Sequence, residues 1–185
     1  MAEVRYFDGA GDHTEECLEI VRSLAGKYKN IVVATTSGGT GLKFAERLAK
    51  KNNLVVITHS AGFGGPNKND WDEEKLEKIR KLGAKVHTAT ILTSSIERSL
   101  SDARQGTYPA IIIADTYRTF GQGTKVAVEI VMMATDAGLI PEGDDVLSVA
   151  GTGRGADTVL VVRSATSRRF LDLKIREILA KPREW

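Results

Sequence analysis

What this chain can fold into is constrained most tightly between Ile31 and Thr58. The apolar run Ile31-Val32-Val33-Ala34 empties into Thr35-Thr36-Ser37-Gly38-Gly39-Thr40-Gly41, after which Leu42, Ala45, Leu48 and Ala49 recur at helical spacing. A second apolar run, Leu54-Val55-Val56-Ile57-Thr58, follows. Strand, glycine-rich turn, helix and strand in that order make a βαβ unit with parallel neighbouring strands. The turn presents bare backbone N–H groups at a helix N-terminus, which suits an anion and above all a phosphate. It has neither the lysine of a Walker loop nor the spacing of the dinucleotide fingerprint, so it indicates phosphate without naming a nucleotide.

The alternation extends along the chain. Asp12 and Glu15 open a helix in capping-box fashion that runs to about Lys27. Beyond Gly62-Phe63-Gly64-Gly65-Pro66-Asn67, the acidic stretch Asp70 to Glu74 opens a helix with Leu76, Ile79 and Leu82 inward, ended by Gly83. Lys85 to Ala89 reads as a third strand, and Ile96 to Arg104 as a helix capped by Ser94 or Ser95. Ala110-Ile111-Ile112-Ile113-Ala114 fits a buried strand or a buried helical turn. Thr124 to Ala137 is apolar nearly all round, as in a deeply buried or interface helix, and Gly138 and Pro141 stop it. Strands are expected at Val146–Ala150 and Val159–Val162, and a last helix at about Arg168–Ala180 with Leu171, Ile175 and Ile178 inward.

A chain of 185 residues with 42% hydrophobic and 27% charged residues can bury a real core as one domain, residues 1–185. Its 26 Lys and Arg against 24 Asp and Glu leave a net charge of +2, too small to draw in nucleic acid or a membrane surface, so neither is expected as a partner. Any anion site must be local. There is no basic n-region followed by an apolar stretch and no apolar run of the ~18 residues that a membrane span requires, which makes the cytoplasm the expected location. Cys17, the single cysteine, lies among Leu18, Ile20, Val21 and Leu24 and reads as packing.

These elements, in this order, resemble the C-terminal α/β domain of pyruvate kinase. Three matches carry the resemblance: Ile31 to Thr40 with its helix and Leu54 to Thr58; Ala134-Thr135-Asp136-Ala137-Gly138-Leu139-Ile140-Pro141-Glu142-Gly143-Asp144; and Val146 to Ala150 with its glycine turn and returning strand. A closer likeness is to a small, mainly archaeal family of stand-alone proteins with that fold. It rests on Phe120-Gly121-Gln122-Gly123-Thr124-Lys125-Val126-Ala127-Val128-Glu129-Ile130 and Gly153-Arg154-Gly155-Ala156-Asp157-Thr158. Residues and resemblance together give a three-layer α/β/α fold with a mostly parallel sheet and an antiparallel last strand. The resemblance implies binding without pyruvate kinase activity, since that chemistry belongs to a separate barrel. It also implies that Thr35 through Thr40 correspond to the loop that holds an activator's phosphate, with Arg154 in a second loop beside the effector.

The physical case for a pocket runs parallel to this. In open α/β sheets ligands settle beyond the carboxyl ends of strands, where the strand order reverses. The loops after Ala34, Ile57 and Ala150 all leave strand ends, which puts Thr35, Thr36, Ser37, Gly38, Gly39, Thr40 and Gly41 in the expected site. Thr58, His59, Gly62 and Phe63 join them from the second loop, and Gly151, Thr152, Gly153, Arg154, Gly155 and Asp157 from the third. The hydroxyls and amides would cradle a phosphate and Arg154 would grip it bidentately. Phe63 stacking on a ring, with Trp71 closing the pocket, would suit flavin mononucleotide (FMN) better than a bare sugar phosphate. Asp157 could orient Arg154, and Asp115-Thr116-Tyr117-Arg118 and Glu97-Arg98 are further polar groups in play.

Of the three histidines only His59 sits at a strand's carboxyl end, where a general acid or base belongs; His13 lies at a helix start and His87 inside a strand. No histidine pair has helical metal-ligand spacing, and no metal is expected. The expected function is binding of a phosphorylated small molecule, a sugar phosphate or FMN. The alternatives are a small enzyme acting on such a molecule, or a homo-oligomeric interaction protein using the Val126–Met133 helix as its seam.

Overall fold

The computed structural model describes residues 3–185. Seven strands make one sheet: β1 (Arg5–Gly9), β2 (Asn30–Ala34), β3 (Asn53–His59), β4 (Lys85–Ala89), β5 (Asp145–Ala150), β6 (Thr158–Arg163) and β7 (Lys174–Glu184). Their spatial order is β1-β7-β6-β5-β2-β3-β4, and β6 alone runs against its neighbours. Side chains alternate across a strand, so the buried sheet feeds two cores. Ile31, Val33, Val56, Leu147 and Val149 pack against α1 (Thr14–Leu24), α2 (Gly39–Leu48) and α3 (Glu73–Lys81). Val32, Val55, Ile57, Val146 and Leu160 face α6 (Gln122–Asp136) on the other side. The fold is thus α/β/α, with α4 (Ile96–Arg104) on α5 (Pro109–Arg118) and α5 on α6.

The apolar α6 is spent inside the chain. Residues Gly123–Lys125 and Ala127–Thr135 are buried, under α5 and against β2, β5 and β6. Its hydrophobicity comes from being enclosed on both sides. Among the described residues no helix is long and apolar enough to cross a membrane.

Local chemistry settles the ambiguous stretch Ala110–Ala114 as helix. Pro109 occupies the first turn, where its missing N–H costs nothing, and the Glu97 carboxylate accepts the Ala110 amide at 2.7 Å. Two caps differ from expectation. Ser95 precedes α4, but its hydroxyl turns back to the Ile91 carbonyl. Asp12 does brace the head of α1, accepting the Thr14 amide and hydroxyl, while Glu15 reaches out to Lys43 instead of back to the cap.

The expected last helix is a correction. Ser167–Asp172 forms a short 3₁₀ segment, Leu171 is 81% exposed, and Lys174–Glu184 is strand β7, paired with both β6 and β1. Of two register shifts along the β6–β7 pair, the one between Val161 and Val162 explains the misleading pattern. Val162 pairs with Ile175 and Leu160 with Ile178, so three residues of β7 span two of β6. Ile175 and Ile178 therefore both reach the α6 side at a spacing of three, which on a straight strand would place them on opposite faces. Strand β1, at the edge of the sheet beside β7, has no counterpart among the expected elements.

Candidate functional site

The sheet reverses its winding between β2 and β5, because β3 and β4 are added on one side of β2 and β5 on the other. The register pairs Val33 with Val56 and with Val149, which brings the loops after β2, β3 and β5 out at one edge. Between these loops and α6 opens a cleft of about 720 Å³. That size is typical of small-molecule sites, which run from about 300 to 1,000 Å³.

Thr36, Ser37 and Thr40 line the cleft, with Thr35 beneath them. The loop is shaped by Thr35, whose buried Oγ1 accepts the Gly38 amide at 3.1 Å and the Gly41 amide at 3.4 Å. Two of the expected phosphate donors are therefore engaged within the loop itself. The amides of Ser37, Gly39 and Thr40 have no such side-chain partner among the described residues. Gly38, Gly39 and Gly41 do not line the cleft. Gly38 has φ +94°, which a side chain would strain, and Gly41 is a packing glycine: a Cβ there would lie 2.6 Å from Val56 Cγ1.

From β3 come Thr58 and His59. Thr58 is buried and its hydroxyl shares a 2.7 Å hydrogen bond with that of Thr88. His59 Nδ1 lies 3.7 Å from Asp70 Oδ2, beyond hydrogen-bond distance, and is buried without a partner. Phe63, 60% exposed, rests against the His59 ring with centroids 4.5 Å apart, at the rim of the cleft. Gly62 lies outside the lining; its amide donates to the Lys68 carbonyl in the turn. Trp71 does not close the pocket. It packs against the core under α2 and α3 and donates to Glu73, since it sits at the head of α3 on the other face of the sheet.

From the loop after β5, Gly151, Gly153, Arg154 and Gly155 line the cleft. Asp157 is fully buried and does not orient Arg154: one carboxylate oxygen accepts the Thr152 amide at 2.9 Å and the other the Thr158 hydroxyl at 2.7 Å. It holds the turn closed, and Thr152 stands behind the wall. Burial explains the difference, because a carboxylate out of water needs near hydrogen-bond donors more than a long solvent-exposed arginine. Asp12, beside Gly155, is the carboxylate that feels Arg154. The Thr14 hydroxyl is the main cause holding Asp12 below the usual carboxylate value, with Arg154 adding a smaller pull.

The remaining wall was outside the expected site. Lys125 and Glu129, one helical turn apart on α6, line the cleft with their side chains 4% and 5% exposed. Lys125 Nζ donates to Glu129 Oε2 at 2.6 Å, while Glu129 Oε1 accepts the Thr93 amide at 2.8 Å and its hydroxyl at 2.6 Å. Burial pushes the Lys125 ammonium below its usual range; Glu129 opposes that shift, and Arg118 and Arg98 add to it. Arg98 and Arg118 line the same cleft. Arg118 is held by Gln122 and by the exposed Asp115, each at 2.7 Å. An i,i+4 Lys–Glu pair inside an otherwise apolar helix was the available signal.

Arg98, Arg118, Lys125 and Arg154 thus face Glu129 and Asp70 across one cavity, an excess of positive charge in a chain that is otherwise balanced. Such a focus attracts anions from solution. Ile91, Val126, Ile130 and Met133 supply an apolar wall beside it.

Among solved structures, the chain is similar to a pyruvate kinase from Cryptosporidium parvum in complex with ADP, at 17% identity and a TM-score of 0.42. It covers 84% of this chain and 24% of that one. The chain is also similar to an NH3-dependent NAD synthetase from Campylobacter jejuni subsp. jejuni in complex with the nitrate ion, at 17% identity and a TM-score of 0.35, over 58% of this chain and 46% of that one. The chain therefore spans less than half the length of either. The family model "Pyruvate kinase, alpha/beta domain" matches residues 15–162, from the first turn of α1 into β6. The chain belongs to the pyruvate kinase α/β domain family.

Proposed function

We propose that the cleft binds a phosphorylated small molecule, with the phosphate between the Thr36–Thr40 loop and Arg154. The observation that carries this reading is the meeting of the β2 and β5 loops at the reversal of strand order, around a cavity with an excess of arginine and lysine. The amide of Thr40 at the head of α2, with the hydroxyls of Thr36, Ser37 and Thr40, would donate to the phosphate oxygens. Arg154 has no side-chain hydrogen bond or ion pair among the described residues, which leaves its guanidinium free to form two parallel bonds to phosphate. The apolar wall of α6 would hold the organic part, a sugar or the ring of a mononucleotide such as FMN. The one carboxylate on the α6 wall, Glu129, is committed to local partners, Lys125 and Thr93. This α/β unit is accordingly read as binding its ligand without turning over phosphoenolpyruvate and ADP.

Calorimetric titration with FMN, ribose 5-phosphate and inorganic phosphate tests the proposal, together with the absorption spectrum of the purified protein. At least one phosphorylated compound should bind, and Arg154→Ala should weaken it by roughly 10- to 100-fold, as expected for a charged hydrogen bond of about 1.5–3 kcal/mol. No binding to any of the three, or unchanged affinity in the variant, would overturn the assignment. A coupled assay for pyruvate formation should stay at background.

A further inference from the structure

The phosphate proposal leaves the most unusual group in the cleft unused. Lys125 lies in the cavity wall, not in the sealed core, and its amine has one acceptor among the described residues, Glu129 Oε2. An ammonium carries three donors, so two positions on Nζ are unclaimed. Glu129 is in turn fixed by Thr93 through both amide and hydroxyl, so the carboxylate cannot swing away from the amine. Arg98 and Arg118 stand on the same cavity, with apolar Val126, Ile130 and Met133 beside it. An enclosed amine, a clamped carboxylate in contact with it and neighbouring cations are the parts that turn a lysine into a nucleophile toward carbonyl carbon.

We propose that Lys125 forms an imine with the carbonyl carbon of a phosphorylated aldehyde or ketone whose phosphate occupies the Thr36–Thr40 loop. The inference rests on the phosphate reading above and narrows its ligand to an open-chain sugar phosphate. The step balances within the site. Glu129 takes a proton from the Lys125 ammonium, and the freed lone pair attacks the carbonyl carbon, forming the C–N bond as the carbonyl π electrons move to oxygen. Glu129 returns its proton to that oxygen, then takes a second proton from the now cationic nitrogen, giving the neutral carbinolamine; passing this second proton to the hydroxyl releases water as the nitrogen lone pair closes the C=N bond. Ammonium and carbonyl become iminium and water, and no oxidant, reductant or metal is consumed. The same cause that lowers the Lys125 proton affinity, burial reinforced by Arg98 and Arg118, makes the first transfer easier.

The test is borohydride trapping of the intact protein with dihydroxyacetone phosphate, followed by peptide mass mapping. Calorimetry with the same compound and with inorganic phosphate is run beside it. The expected result is one borohydride-dependent adduct per chain, located on Lys125 and suppressed by excess inorganic phosphate. Glu129→Gln should slow adduct formation at least tenfold while phosphate still binds, and Lys125→Arg should abolish it. Wild-type mapping needs no variant to fold, so a misfolded substitution leaves the test intact. Binding of dihydroxyacetone phosphate without an adduct on Lys125, or labelling spread over surface lysines and indifferent to phosphate, would overturn the imine and leave the phosphate reading standing. Absence of binding by both compounds would overturn the imine, and the phosphate reading falls with it only if FMN and ribose 5-phosphate also fail to bind.

Discussion

Thr35 Oγ1 accepts the Gly38 amide at 3.1 Å, so the loop that leaves β2 is closed by its own first residue. The same oxygen takes the Gly41 amide at 3.4 Å, one helical turn further on. Removing it strands two buried donors at once. Thr35→Val should cost about 1–3 kcal/mol in urea denaturation, while Thr35→Ser, which keeps the acceptor, should stay close to wild type. Phosphate affinity should fall with the first variant and persist in the second.

Gly41 and Gly39 stand two residues apart and should respond in opposite ways to alanine. At Gly41 the new Cβ would sit 2.6 Å from Val56 Cγ1 and 3.2 Å from Ile79 Cδ1, wedging α2 off the sheet. A loss of about 1–3 kcal/mol is expected despite the better helix propensity of alanine. At Gly39 the nearest atom is Ser37 Oγ at 3.9 Å, so alanine should be neutral or stabilising by up to about 1 kcal/mol. Thermal unfolding of the two variants side by side checks the contrast.

Arg169 bonds to the Glu142 carboxylate and holds it down to about 2, aided by the Thr166 amide and hydroxyl. A carboxylate with a depressed folded value stabilises the fold above its ordinary value of 4.5, and that contribution is lost as pH falls through about 2. Carboxyl-carbon NMR should place the Glu142 midpoint near 2. In Arg169→Ala it should return toward 4.5.

Cys17 is wholly buried on the inner face of α1, and burial raises its thiol far above the ordinary range. A neutral, enclosed thiol is a poor nucleophile. Iodoacetamide at pH 8 should label it only as fast as the protein opens, and at once in urea. Rapid labelling of the native protein would contradict its place in the core.

Much of the architecture was legible because its causes are local. The strands around Val33 and Val56 and the glycine stops at Gly83 and Gly138 follow from periodicity and turn chemistry within a few residues. Strand β7 was not legible, since a register shift gives Ile175 and Ile178 a helical spacing that only pairing with Val162 and Leu160 explains. Trp71 read as a pocket aromatic because its loop lies beside the cleft in sequence, yet the head of α3 turns it to the opposite face. Lys125 and Glu129 were visible as a charged pair in an apolar helix, but nothing within α6 says that their side of the helix meets a cavity.

The sequence by itself determined the unit from β2 through its loop and α2 to β3, because hydrophobic period, hydroxyls and glycines act through neighbours along the chain. Tertiary structure decided what that loop faces. β5, more than a hundred residues later, pairs with β2 on the side away from β3, and this brings Arg154 and α6 onto the same cleft as Thr40. Strand order is a bargain among distant segments, set by which buried faces cover one another. The loop's own residues could specify its shape, while its partners across the cleft came from the packing of the whole sheet.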